Sequence, residues 1–310
     1  MEKPGRLQGL RRLRGALSGA SLTNAVVDKD APRVTVGQPA EPAQADAQGE
    51  RAAAEREDAM AYKDVLVYLD PTAESIERLS FAVDLAKAHG ARLVGVDVSA
   101  PKAERPEVTQ QTFEDATRKA GVKAVFVPEE KAGEGEAFSH CVDLMIAPAP
   151  SGAARDMVRR GALDRALVES GAPMLILPPE WTGGKVGNNI VIAWNGGREA
   201  LRAVHDAMPF LTKAHKVTVF CFSARPSDLR DSAAMLVHHL EAHGVVSHIS
   251  DWTNTGDLTA IEALFASLDT QDADLIVAGA FGHSRLYEGL FGGVSMDLMR
   301  QQSLPVLMSH

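Results

Sequence analysis

The chain has 310 residues, about twice the length of a small domain, and its 45% apolar content is enough for sizeable cores. Its formal charge of −9 argues against nonspecific nucleic-acid binding as the main role. Cys141 and Cys221 sit far apart in apolar contexts and suggest neither a disulfide nor a metal site, so a reducing cytoplasm is the expected setting. No apolar run reaches the length of a membrane span, so no membrane role is expected.

Residues 1–59 differ from the rest. Arg6, Arg11, Arg12 and Arg14 give a basic start, faintly like an organelle transit peptide. Stretches such as Glu41-Pro42-Ala43-Gln44-Ala45-Asp46 come next, with few large apolar residues. Such a segment cannot bury enough surface to offset its ordering entropy, so a disordered extension is expected. Met60 stands just before the first strand and offers an alternative start.

From residue 60 the chain alternates short apolar runs with helical periodicity. Val65–Leu69 reads as a strand buried on both faces. Asp70-Pro71-Thr72 breaks it and is expected to cap the next helix. That helix shows Ile76, Leu79, Val83 and Ala86 as an expected buried face, and Gly90 ends it. Strands are expected at 92–98, 122–127, 144–147 and 174–177, with a shortened or missing helix between 129 and 140 and a helix over 153–170. The same order returns after a linker at 179–187. Ile190–Trp194 is a strand, Asn195-Gly196-Gly197 breaks it, and Leu201, Val204, Met208 and Leu211 repeat the helical spacing. Strands at 217–222, 246–252, 274–278 and 305–308 and helices at 227–243 and 258–268 complete the half. The repeat is about 125 residues. Two domains are expected, 60–178 and 188–310, and Val306-Leu307-Met308 suggests edge pairing between the halves or between chains.

The chemistry concentrates near the C-terminus. The strand at 274–278 runs into Gly279-Ala280-Phe281-Gly282, His283-Ser284-Arg285 and Gly292-Gly293-Val294-Ser295, and then a helix over 296–302. Glycines let backbone N–H groups approach a ligand, and a helix N-terminus adds free donors and positive charge. Arg285 and Ser295 could add a cationic fork and a hydroxyl, which suits a phosphate. The same glycines would also serve a tight strand-to-helix turn. In a parallel sheet with right-handed crossovers, ligands bind beyond the strand C-termini where strand order reverses. Asn195 would then face the loop across the crevice if its strand neighbours the 274–278 strand.

These residues resemble the universal stress protein family in its tandem form, over about residues 62–309. The nucleotide-binding members carry G, two residues, G, nine residues, G and then Ser or Thr. Gly279, Gly282 and Gly292 fall at that spacing, and Gly293 replaces the hydroxyl residue. Val294 and Ser295 match the Val and the Ser or Thr at the family's next two positions. The resemblance implies two Rossmann-like α/β domains, each a five-stranded parallel sheet of order 3-2-1-4-5 with helices on both faces, the first partly degenerate. It implies pairing of two such units, within one chain or as a homodimer. An acidic residue that reads the adenine side is matched by Asp70 in the first half and replaced by Asn195 in the second. Pro148, Pro150 and Arg160 stand where the first half would need glycines.

The resemblance thus implies a stress-response regulator binding one adenine nucleotide, ATP with Mg, in its second domain, through Asn195, Gly279, Gly282, His283, Ser284, Arg285, Gly292, Gly293, Val294 and Ser295, with an unknown protein partner. A nucleotide-independent scaffold and a slow ATPase, recruiting Asp257 or Asp297, are the alternatives. No catalytic residue is expected: His283-Ser284 lacks a G-x-S-x-G elbow. His239 and His243, four apart, could share a helix face, but the sequence shows no third ligand, so no metal site is expected.

Overall fold

A computed structural model describes residues 61–70, 72–98, 110–128, 131, 137–149, 162–178, 181–223, 226–253, 258–280, 298 and 303–310. The expected extension at 1–59 lies outside the described residues. So does most of the glycine-rich stretch.

The first half contains β1 (Asp64–Leu69), α1 (Glu74–His89), β2 (Arg92–Asp97), α2 (Gln110–Ala120), β3 (Ala124–Val127), β4 (Leu144–Pro148), α3 (Ala162–Glu169) and β5 (Met174–Leu177). The second contains β6 (Asn189–Trp194), α4 (Arg198–Asp206), α5 (Met208–Leu211), β7 (Lys216–Ser223), α6 (Pro226–Ala242), β8 (Ser247–Thr253), α7 (Ala260–Gln271), β9 (Leu275–Gly279) and β10 (Val306–Ser309). The described strands form one ten-stranded sheet in the order β3-β2-β1-β4-β5-β10-β9-β6-β7-β8. Each half therefore has the expected 3-2-1-4-5 order. The halves do not stand as separate sheets: β10 pairs antiparallel with β5, Leu307 opposite Leu175 and Met308 opposite Met174. The apolar last strand thus finds its partner within the chain.

Side chains alternate across the sheet and feed two cores. Val65, Val67 and Leu69 of β1 point to one face with Ile190 and Ile192 of β6, under α1, α4 and α6. Leu66 and Tyr68 point to the other with Val191, under α3 and α7. Each core runs through both halves, as strands covered on both faces require. Polar contacts also cross between the halves. The Tyr62 hydroxyl donates to the Asp206 carbonyl at 2.8 Å.

Several expectations are corrected. Ile76 and Leu201 are exposed, not buried. In α1 Leu79, Val83 and Ala86 are buried as expected, and Ser75, Arg78 and Ala82 share the inward side in place of Ile76. In α4 it is Ala200, Ala203 and Val204. The helix expected through 211 instead breaks between α4 and α5, where Pro209 follows the new helix start. Asp70 does not cap α1; the residue before α1 is Ala73, with no side-chain cap. Gly90 ends α1 as expected, with a left-handed φ of 62°. Helix α2 is absent from the sequence reading because Phe113 is its one large apolar side chain. That ring is buried over β2, where a Cβ on Gly95 would lie 2.5 Å from it. Among the described residues between β3 and β4, 137–139 make a helical turn and Lys131 lies in a 3₁₀ turn, its N–H donating to the Pro128 carbonyl at 2.9 Å. No described helix is long and apolar enough to cross a membrane.

Candidate functional site

Strand β6 lies between β7 and β9 and runs parallel to both, with Ala193 opposite Ala278. Strand order reverses there, so the ends of β6 and β9 open the crevice expected of this sheet type. Asn195 leaves the end of β6 and is exposed. Its Oδ1 accepts the Gly197 N–H at 2.9 Å, a local turn that Gly196 completes with φ 72°. One Oδ1 lone pair is thus engaged, while Nδ2 has no protein partner among the described residues. Trp194, one residue earlier, is buried and donates from Nε1 to the Ser232 Oγ of α6 at 2.9 Å. It is a core residue.

Gly279 ends β9 beside that crevice. A Cβ there would lie 2.5 Å from the Ala200 nitrogen and 2.6 Å from the Glu199 carbonyl carbon. Glycine is needed because the first turn of α4 lies directly on the strand end. That turn therefore connects Asn195 and Gly279, the two expected site residues within the described part. Gly282, His283, Ser284, Arg285, Gly292, Gly293, Val294 and Ser295 lie outside it, as do Asp257 and Asp297.

The same turn brings in a carboxylate that the sequence reading missed. Glu199 is buried, and its Oε1 accepts from Arg198 Nε at 2.5 Å. A Cβ placed on Gly197 would lie 3.0 Å from Asn195 Oδ1 and 3.5 Å from Glu199 Oε2, so the two oxygens flank one glycine. Burial pushes the Glu199 carboxyl up. The hydrogen bonds from Arg198 and its own backbone, with the charges of Arg198 and His310, outweigh that and hold it below the ordinary range. His310 Nδ1 lies 3.1 Å from the Ala280 carbonyl, so the last residue closes back on the strand end. In the sequence, Glu199 looks like an ordinary first-turn acid on a helix dipole.

The first half treats the matching position differently. Asp70 is fully buried. Its Oδ2 pairs with Arg78 Nη2 at 2.6 Å, and its Oδ1 accepts from the Thr72 backbone at 2.9 Å, the Thr72 hydroxyl, and Ser75 Oγ at 3.1 Å. Arg78 Nε also donates to the Tyr68 carbonyl at 2.7 Å. Burial pulls the guanidinium below its usual range, and the Asp70 charge opposes that. By the repeat, Asp70, Ser75 and Arg78 correspond to Asn195, Ala200 and Ala203. The polar knot that closes the end of β1 has no counterpart at the end of β6.

A cleft of about 520 Å³ lies at the C-terminal end of α4, lined by Tyr62, Asp143, Gly171, Arg202, Asp206 and His243 among others. It sits apart from Asn195 and Gly279, which open at the helix N-terminus.

No protein-family model matches the chain, and no curated protein does. Solved structures do. A universal stress protein from Archaeoglobus fulgidus DSM 4304 superposes with a TM-score of 0.59 at 16% identity, over 79% of this chain and 97% of that one. A protein of unknown function from Pseudomonas aeruginosa PAO1 gives 0.55 at 15% identity, over 81% and 94%. A candidate universal stress protein from Pseudomonas aeruginosa UCBPP-PA14 gives 0.54 at 15%, again over 81% and 94%. The chain has the α/β fold of universal stress proteins.

Proposed function

We propose that the chain is a tandem universal stress protein that binds one adenine nucleotide in its second half and passes that state to a protein partner in the cytoplasm. The observation that carries this reading is the contrast between the two strand ends. At β1 the acidic residue is consumed by Arg78, Ser75 and Thr72. At β6 the corresponding positions hold Asn195, Ala200 and Ala203, and the Asn195 side chain is exposed. The base would lie against Asn195, whose Nδ2 offers donors to a ring nitrogen. The phosphates, with Mg, would take the backbone N–H groups from Gly279 through Gly293, the Arg285 charge and the Ser295 hydroxyl. The reading assigns no catalytic residue. Binding would act by favouring the conformation it fits better.

Calorimetry with ATP, ADP and AMP, with and without Mg, tests it. One site of about micromolar affinity, near −8 kcal/mol, lost in Gly282→Trp, is the expected result. No binding at millimolar nucleotide overturns it. The fold would then serve as a nucleotide-independent scaffold, a reading that the Asn195–Gly197 turn favours by engaging one amide oxygen.

A further inference from the structure

The sequence offers His239 and His243 on one helix and nothing to complete them. The structure supplies a third imidazole from a different helix. His205 of α4 meets His239 of α6, their Nε2 atoms 3.2 Å apart and their rings 5.2 Å between centroids. The His243 ring packs edge-on against His239 at 4.8 Å. His205 and His243 line the mouth of the cleft beside α4.

We propose that His205 and His239 form a two-nitrogen chelate for a divalent transition metal that prefers imidazole, of the Cu²⁺, Ni²⁺ or Zn²⁺ class. Metal–nitrogen bonds of about 2.0–2.1 Å set two ligand nitrogens about 3.4 Å apart in a tetrahedral site and about 2.9 Å apart when cis in a square-planar one. The observed separation lies between these, so both Nε2 atoms can ligate one ion with little ring movement. Among the described residues no group of three or more His, Cys, Asp or Glu side chains is placed to hold a metal. Water therefore completes the coordination. The chain's net charge of −9 adds a general attraction for cations. Because the ligands come from α4 and α6, a bound ion ties together the two helices that flank Asn195. Helix α4 begins three residues after it, and α6 holds Trp194 through Ser232.

The test uses the tag-free full-length protein, titrated with CuCl₂, NiCl₂ and ZnSO₄ in a buffer that does not chelate. The expected result is about one equivalent of bound metal with a raised melting temperature. His205→Gln and His239→Gln should each weaken it about tenfold or more, while His140→Gln should leave it unchanged. The electron paramagnetic resonance spectrum of the Cu²⁺ form should carry splitting from two nitrogens, a reading that needs no variant. No saturable binding overturns the proposal. So does unchanged affinity in His205→Gln, which would place the metal on His239 and His243 alone.

Discussion

Arg78 Nη2 lies 2.6 Å from Asp70 Oδ2, and both side chains are buried, 3% and 0% exposed. Two opposite charges can persist there because each is also hydrogen-bonded, Arg78 to the Tyr68 carbonyl and Asp70 to Thr72 and Ser75. Removing one partner leaves the other charge buried and unpaired, which costs about 3–5 kcal/mol, while replacing both with apolar groups costs far less. Arg78→Ala is therefore expected to lose about 3–5 kcal/mol in urea unfolding at neutral pH. Asp70→Leu combined with Arg78→Leu should recover most of it. A single variant within about 1 kcal/mol of the parent would show that the pair is not the closed knot described.

Phe113 anchors an otherwise polar helix. Its ring is buried against β2 at Gly95 and lies 5.5 Å from the Phe126 ring of β3. Phe113→Ala should cost about 3–5 kcal/mol through the cavity it leaves. Gly95→Ala would place a methyl group inside that ring and should cost about 1–3 kcal/mol. Thermal unfolding of both variants checks this. Equal melting temperatures for Gly95→Ala and the parent would mean that α2 does not pack there.

Gly279 tests the site itself. A methyl at this position meets the backbone of Glu199 and Ala200, so the first turn of α4 must move away from β9. Gly279→Ala should lose about 1–3 kcal/mol of stability and weaken nucleotide binding with it. Full stability with unchanged binding would show that the helix does not lie on the strand end.

What each element buries decides how legible it is in the sequence. The strands are legible because β1, β5 and β9 are continuous apolar runs, and the repeat is legible because β1 and β6 open the two halves alike. Helix α2 is not, since QQTFEDATRKA offers Phe113 and little else to a periodicity count. The start of α7 carries a readable signal that the helical spacing alone passes over: Thr259 and Glu262 form a capping box, each side chain bonding the other's backbone N–H. The closing of the first half is hidden because an arginine eight residues beyond Asp70 looks like a solvated helix residue. Glu199 is hidden for a similar reason. Its importance comes from the strand end that α4 covers, not from neighbours in sequence.

Glu199 gives a pH dependence of definite sign. Its folded carboxyl is held below the ordinary value: burial raises it, but Arg198, the backbone and His310 outweigh burial. A depressed folded pKa stabilises the protein above the unfolded value of about 4.3, and that contribution disappears as pH falls through the folded pKa. Glu199→Gln should therefore be less stable than the parent at neutral pH, with the gap closing toward about pH 3. Urea unfolding at the two pH values measures it. A gap of the same size at both would contradict the ionised, hydrogen-bonded carboxylate.

The proposed nucleotide site at the end of β6, with the end of β1 closed by its own side chains, has a signature that one experiment can read. Hydrogen exchange of the full-length protein with and without saturating ATP and Mg reports on both ends at once. Slowed exchange is expected in peptides covering 195–200 and 279–295, with no change across 68–78. Protection across 68–78, or no protection at either end under conditions where ATP is bound, would show that the two strand ends do not divide in this way.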